Sequence, residues 1–229
     1  MNITFLLHFS WLFERDEARA DVYPMVRYWI ENNDSDLEKI RAIATLLYIW
    51  NIGYYGRAGK NFSFAVNNVE EIYYKQKFNK LLNSLKNHEL SNIDLNKYKI
   101  EIKEIYRLVK SCTGFGVAAT SKLLHIIHPE LFIMWDKAIC NHYHDIHKKK
   151  GMWHLKGHDV CYFEFLKEMQ KEIKDILRQS SIKKVEQGLN EISGYKKTIV
   201  KGLDEVNYMI ITVPEKKHEM RKRLRFRNR

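Results

Sequence analysis

Three stretches of this chain hold residue types that do chemistry at usable spacings. The first is Cys112 to Asp136, CTGFGVAATSKLLHIIHPELFIMWD. Thr113-Gly114-Phe115-Gly116 lies between two helical patterns, which predicts a tight turn and a second helix opening near Val117. Glycines at such a turn permit positive φ and leave backbone N–H groups uncovered. The helix N-terminus adds partial positive charge, and together these favour a phosphate. Asp136 follows Gly114 by 22 residues, enough for a helix reaching His125 to His128, a turn at Pro129 and an extended return through Leu131 to Trp135. At the start of the next helix the plain role of Asp136 is an N-cap.

The second stretch is rich in histidine. Seven of the ten histidines lie between His125 and His158, and CNHYHDIH brings Cys140, His142, His144 and His147 close in sequence, with His154, His158 and Cys161 beyond. Imidazoles and thiolates are zinc ligands, and Cys140 and His144, or His144 and His147, share a helix face. The compact paired spacing of a zinc finger is missing, as is an HExxH pattern. Scattered polar and core histidines are therefore favoured over zinc. A third stretch, WNIGYYGRAGKNFSF at residues 50–64, mixes Trp50, Tyr54, Tyr55 and Phe62 with Arg57 and Lys60 among three glycines. A flexible, aromatic and basic loop of this kind suits stacking on bases and reaching phosphates, or else folds its rings back onto the core.

The elements that must position these residues read as helices. Only three prolines and ten glycines occur in 229 residues, with 45% hydrophobic content. An all-α chain with a sizeable core is expected, either as one domain or as two lobes sharing an interface. Helices are predicted over Asp21 to Asn32 and Ser35 to Trp50, the latter with a core stripe of Leu37, Ile40, Ile43, Ala44, Leu47 and Tyr48. Further helices are predicted over Asn68 to Asn87, Lys97 to Ser111, about 137 to Ile146, Val160 to Gln179 and 182–192. Gly202 to Thr212 and Pro214 to Leu224 also read as helical. The N-terminal MNITFLLHFSWLFERDEARA has no basic n-region or small-residue cleavage site and reads as a core segment.

Net charge is +11, but Lys216 to Arg229 contains eight basic residues and one Glu, so residues 1–215 carry only +4. The basic tail at 216–229 can strengthen phosphate binding without conferring specificity. Three cysteines at wide spacings suit a reducing, intracellular setting better than a disulfide framework. No apolar run is long enough to span a bilayer.

The hairpin, helix and aspartate resemble the helix-hairpin-helix DNA glycosylase superfamily, in its endonuclease-III-like branch. Gly114, Phe115, Gly116 and Asp136 fall on the motif positions without a gap, and the match covers about residues 107–140. LDEVNYMI at 203–210 is similar to the closing helix of the archaeal 8-oxoguanine glycosylases of that superfamily. The resemblance implies two helical lobes around the hairpin and base excision from double-stranded DNA by a monomer. Gly114 to Val117 would clamp a phosphate, with Asp136 as the essential carboxylate. Trp50, Tyr54, Tyr55 and Trp135 would be candidates for stacking on the extruded base, and Arg57 for the vacated stack. Ala118 stands where the bifunctional members carry a Schiff-base lysine, which implies a monofunctional enzyme. Lys122, one helical turn further on the same face, is a second catalytic candidate, although a surface lysine is the plainer reading of it. The family's iron–sulfur cysteines are absent, so no cluster is expected. Two rival readings remain: a non-catalytic helix-hairpin-helix DNA-binding protein with Asp136 as a cap, and a metal-dependent nuclease using the histidines.

Overall fold

The computed structural model describes residues 1–57, 59–149 and 157–214, without the Arg57 side chain. The basic tail, His154 and most of the lysine-rich loop after His147 lie outside the described residues. Within them the protein is all-α, with twelve α-helices, one π-helical turn and no strand. In chain order these are α1 Ile3–Asp16, α2 Val22–Glu31, α3 Asp36–Trp50, α4 Ile52–Arg57, α5 Phe62–Tyr73, α6 Gln76–Leu85 and α7 Lys99–Lys110. They continue as α8 Val117–Ile127, α9 Lys137–Lys149, α10 His158–Leu177, α11 Ile182–Ser193 and α12 Ile199–Asn207. The π turn Tyr208–Thr212 follows α12 directly. No helix among the described residues is long and apolar enough to cross a membrane.

Local chemistry sets several of the helix starts. Asn2, Asn61, Ser181 and Thr198 each accept a hydrogen bond from a first-turn N–H of the helix that follows, satisfying a donor the helix cannot. Gly194 ends α11 in the left-handed region at φ 74°. The N-terminal segment forms α1, burying Leu6, Ser10 and Phe13 against α11 and α12, so it belongs to the core as its composition indicated.

Three sequence expectations are corrected here. The stripe of α3 is wider than expected: Ala42 and Leu46 are buried too, because α3 packs on both α2 and α5, while Leu37 at the helix start is exposed. The single helix expected over Asn68 to Asn87 is two helices. α5 buries Ala65, Asn68, Val69 and Ile72 beside α3, whereas α6 buries Phe78 and Leu85 and packs on α7. One straight helix cannot present its apolar face to both partners, and Lys75 breaks it with extended backbone at ψ 117°. The loop after Trp50 contains α4, a short helix that carries Gly53 and Gly56.

Candidate active site

The chain leaves α8 at His128 and runs without secondary structure to Asp136, buried between α8 and α10. A lone irregular segment has no ladder partner, so its buried backbone groups must be met largely by side chains. Ser121 Oγ donates to the Trp135 carbonyl at 2.9 Å and accepts from the Trp135 N–H at 3.1 Å. Tyr162 donates to the Ile133 carbonyl at 2.7 Å. His125 Nδ1 lies 2.6 Å from the Phe132 carbonyl, and its Nε2 lies 3.0 Å from the Tyr23 hydroxyl. Burial first, then the charge of Lys201, pushes His125 down to about 3, so the ring is neutral. It donates through Nδ1 and accepts at Nε2.

This tethering delivers Asp136 to the start of α9, where one carboxylate oxygen does what a cap does. Oδ1 accepts from the Ile139 N–H at 3.0 Å, while Oδ2 accepts from Thr212 Oγ1 at 2.8 Å. The same carboxylate also lines a cavity of ≈590 Å³, a size suited to a small organic group. Walls come from the end of α1, the end of α3, α8, the 134–139 segment, α12 and the π turn. Ala118 and Lys122 share the α8 wall.

Lys122 is therefore half-buried in the cavity wall, and the surface-lysine reading is corrected. Its ammonium donates to Asn51 Oδ1 at 3.0 Å and to the Trp50 carbonyl at 3.3 Å, and it lies 5.6 Å from the Trp50 ring centre. Trp50 is fixed as well: its Nε1–H donates to the Arg19 carbonyl at 3.2 Å, and its ring stacks on Tyr23. Trp50 and Tyr54 line the cavity, the latter with its hydroxyl accepting from Lys60 at 2.9 Å. Lys60 itself lies over the Phe64 ring, outside the cavity wall.

Two of the expected stacking residues are structural. The Trp135 ring is 1% exposed, stacked on Phe165 at 5.3 Å and edge-on to Tyr162, with its Nε1–H given to the Tyr106 hydroxyl. A ring closed in on these faces is no platform for a base. Tyr55 is 3% exposed and packs among Tyr48, Tyr54 and Phe64. Phe115 likewise inserts its side chain into the core. The turn divides its glycines unequally. Gly114 has φ +86°, and a Cβ there would come within 2.3 Å of Asn68 Nδ2. Gly116 is extended, with φ −84° and ψ −179°, and needs no left-handed backbone. It precedes α8 without a side-chain cap, and with Thr113 it is exposed. The Gly114 to Val117 turn does not itself line the cavity.

Charged groups not anticipated from the sequence complete the cavity. Glu17 accepts from Arg19 Nε at 2.7 Å and from the Tyr208 hydroxyl. Burial alone would raise its carboxyl, but these hydrogen bonds and the Arg19 charge hold it down at about 2. Asp204, 6% exposed, reaches the cavity from α12 and pairs with Lys201 Nζ at 2.9 Å. Its desolvation outweighs the nearby cations and raises it to about 6. Lys201 also meets Glu205 Oε1 at 3.3 Å, and Glu205 Oε2 accepts from Ser10 and Lys197, at 2.6 and 2.9 Å. In sequence, Lys201 with Asp204 and Glu205 looks like an ordinary surface pair at i,i+3 and i,i+4 spacing. No periodicity signals that all three are buried. The cavity is balanced in charge, with Glu17, Asp136 and Asp204 against Arg19, Lys122 and Lys137.

No group of three or more His, Cys, Asp or Glu side chains among the described residues could hold a metal ion. Burial pushes the Cys140 thiol up to about 11, and Cys161 rises for the same reason, so both are protonated at neutral pH. No family model, curated protein or solved structure matches the chain.

Proposed function

We propose that the protein is a DNA glycosylase that takes a damaged or modified nucleotide out of double-stranded DNA and hydrolyses its N-glycosidic bond. The observation that carries this reading is the meeting of the Asp136 carboxylate with the α8 wall in one cavity of ≈590 Å³. Asp136 and that helix are the two parts joined by the hairpin-to-aspartate spacing. A target base cannot be attacked within the stack, so the nucleotide turns outward and its sugar enters the cavity. Bond cleavage leaves positive charge on the ring oxygen and anomeric carbon. The Asp136 carboxylate stabilises that charge and orients the attacking water. Two hydrogen bonds, to the Ile139 N–H and the Thr212 hydroxyl, hold it in place and remove the cost of organising it during the reaction.

Ala118 lies in the cavity wall at the position where the bifunctional enzymes of the resembled family carry lysine. We read the mechanism as monofunctional, with Lys122 orienting the substrate through its charge. Because the cavity is balanced in charge, phosphate contacts fall to the uncapped N-terminus of α8 at Gly116 and the basic tail. Wild-type protein should release a base from at least one duplex in a panel bearing 8-oxoguanine, uracil, alkylated or mismatched bases. Asp136→Asn should bind the same duplex and release nothing. Base release by the variant at the wild-type rate, or none by the wild type, refutes the enzyme. A non-catalytic DNA-binding protein is the second reading, favoured by the cap bond from the Ile139 N–H to Asp136. It predicts duplex binding without base release.

A further inference from the structure

The π turn at Tyr208–Thr212 holds two carboxylates of the cavity at once. Tyr208, at its start, donates to Glu17, and Thr212, at its end, donates to Asp136 Oδ2 at 2.8 Å. π turns are rare and concentrate at functional sites because they reset the direction of the side chains that follow. In a continuous α-helix a threonine hydroxyl commonly returns to the carbonyl four residues back. Here that carbonyl, of Tyr208, accepts instead from the Val213 N–H, the i→i+5 bond of the turn. The Thr212 hydroxyl is 76 residues in sequence from the carboxylate it meets, and Thr212 is 2% exposed. The hydroxyl is therefore shielded from bulk solvent on its own side of the contact.

We propose that Thr212 is a positioning residue for Asp136: its hydroxyl fixes the Oδ2 side of the carboxylate in the cavity while the Ile139 N–H fixes Oδ1, so that the π turn sets the catalytic orientation. This rests on the glycosylase reading and extends it to a residue outside the hairpin and its loop.

The test compares Thr212→Val and Thr212→Ser with wild type in single-turnover base release, and in binding to a duplex carrying a non-cleavable abasic-site analogue. Valine keeps the shape and removes the donor, while serine keeps the donor. Loss of a hydrogen bond to a charged group should slow the valine variant roughly 10- to 100-fold. Its affinity for the analogue should stay within about twofold, and serine should restore most of the rate. A valine variant as fast as wild type, measured where Asp136→Asn is inactive, overturns the positioning role and leaves the glycosylase standing. A serine variant as slow as valine shows that the rate does not follow the hydroxyl donor and also overturns it. Wild type that releases no base from any duplex overturns both readings.

Discussion

Replacing Lys201 with methionine isolates what the buried charges beneath the cavity contribute. Lys201 is fully buried, 2.9 Å from Asp204 and 3.3 Å from Glu205, with its ammonium 4.5 Å from the Phe13 ring centre and 5.4 Å from that of Trp50. Methionine conserves much of the stem volume, so the loss is chiefly electrostatic. Glu205 keeps Lys197 and Ser10 as partners, whereas Asp204 loses its counter-ion. Removing one partner of a buried pair costs about 3–5 kcal/mol when the remaining charge stays ionised. Asp204 avoids part of that cost by taking up a proton. Desolvation already raises its folded pKa from 3.8 to about 6, and loss of the cation raises it further. Between the unfolded and folded values the native state holds a proton that the unfolded chain releases, so stability falls as pH rises. In wild type this fall ends near 6; in the variant it continues at about 1.4 kcal/mol per pH unit. The destabilisation should therefore be about 1–2 kcal/mol near pH 6 and grow to about 3–5 kcal/mol near pH 8. Urea unfolding at a series of pH values measures it, and Lys201→Met/Asp204→Asn should remove the dependence. A constant difference across pH, or a dependence that survives in the double variant, refutes the reasoning.

Other expected outcomes follow from the turn and the cavity rim. Gly114→Ala places a Cβ at φ +86° and 2.3 Å from the Asn68 amide, and should lower stability by about 1–3 kcal/mol in denaturant melts. Gly116→Ala, extended and with nothing within 4 Å of its Cβ, should stay within about 0.5 kcal/mol of wild type. Tyr208→Phe removes one of the donors that hold Glu17 at about 2 against an ordinary 4.5. A depressed carboxyl contributes stability that is present above its unfolded value and is lost as pH falls through its folded value. The variant should thus unfold at a higher pH than wild type in an acid titration followed by circular dichroism, and an unchanged midpoint would contradict the role given to Tyr208.

The sequence and the structure agree most closely where local chemistry acts alone. The turn at Thr113 to Gly116, the helix from Val117 and the stop before Pro129 all follow from glycine, proline and capping rules, and the structure follows that order, with a return to Asp136 that has no regular secondary structure. What periodicity could not report was direction. Trp135 and Trp50 both border the cavity, yet the Trp135 ring closes into the core on Phe165 at 1% exposure while Trp50 stays partly exposed beside Lys122. That difference depends on where α10 and α2 pack, which is a tertiary fact. The division of α5 from α6 has the same origin, since two helix partners in different directions prevail over a continuous helical pattern. Thr212 and Glu17 reach the cavity across long sequence separations, and a hydroxyl in a helical turn or a carboxylate just past a helix end carries no mark of that contact.

The central claim is that the Asp136 carboxylate faces positive charge developing on a sugar. It can be measured without knowing which base is removed. Two duplexes, one with a cationic pyrrolidine in place of the target sugar and one with a neutral tetrahydrofuran abasic site, are compared for affinity with wild type and Asp136→Asn. Wild type should favour the cationic duplex by roughly tenfold or more, the range of a charge-assisted contact, and the variant should lose that preference while binding the neutral duplex as before. Equal affinity of wild type for the two duplexes, or a preference that persists in Asp136→Asn, would contradict the account.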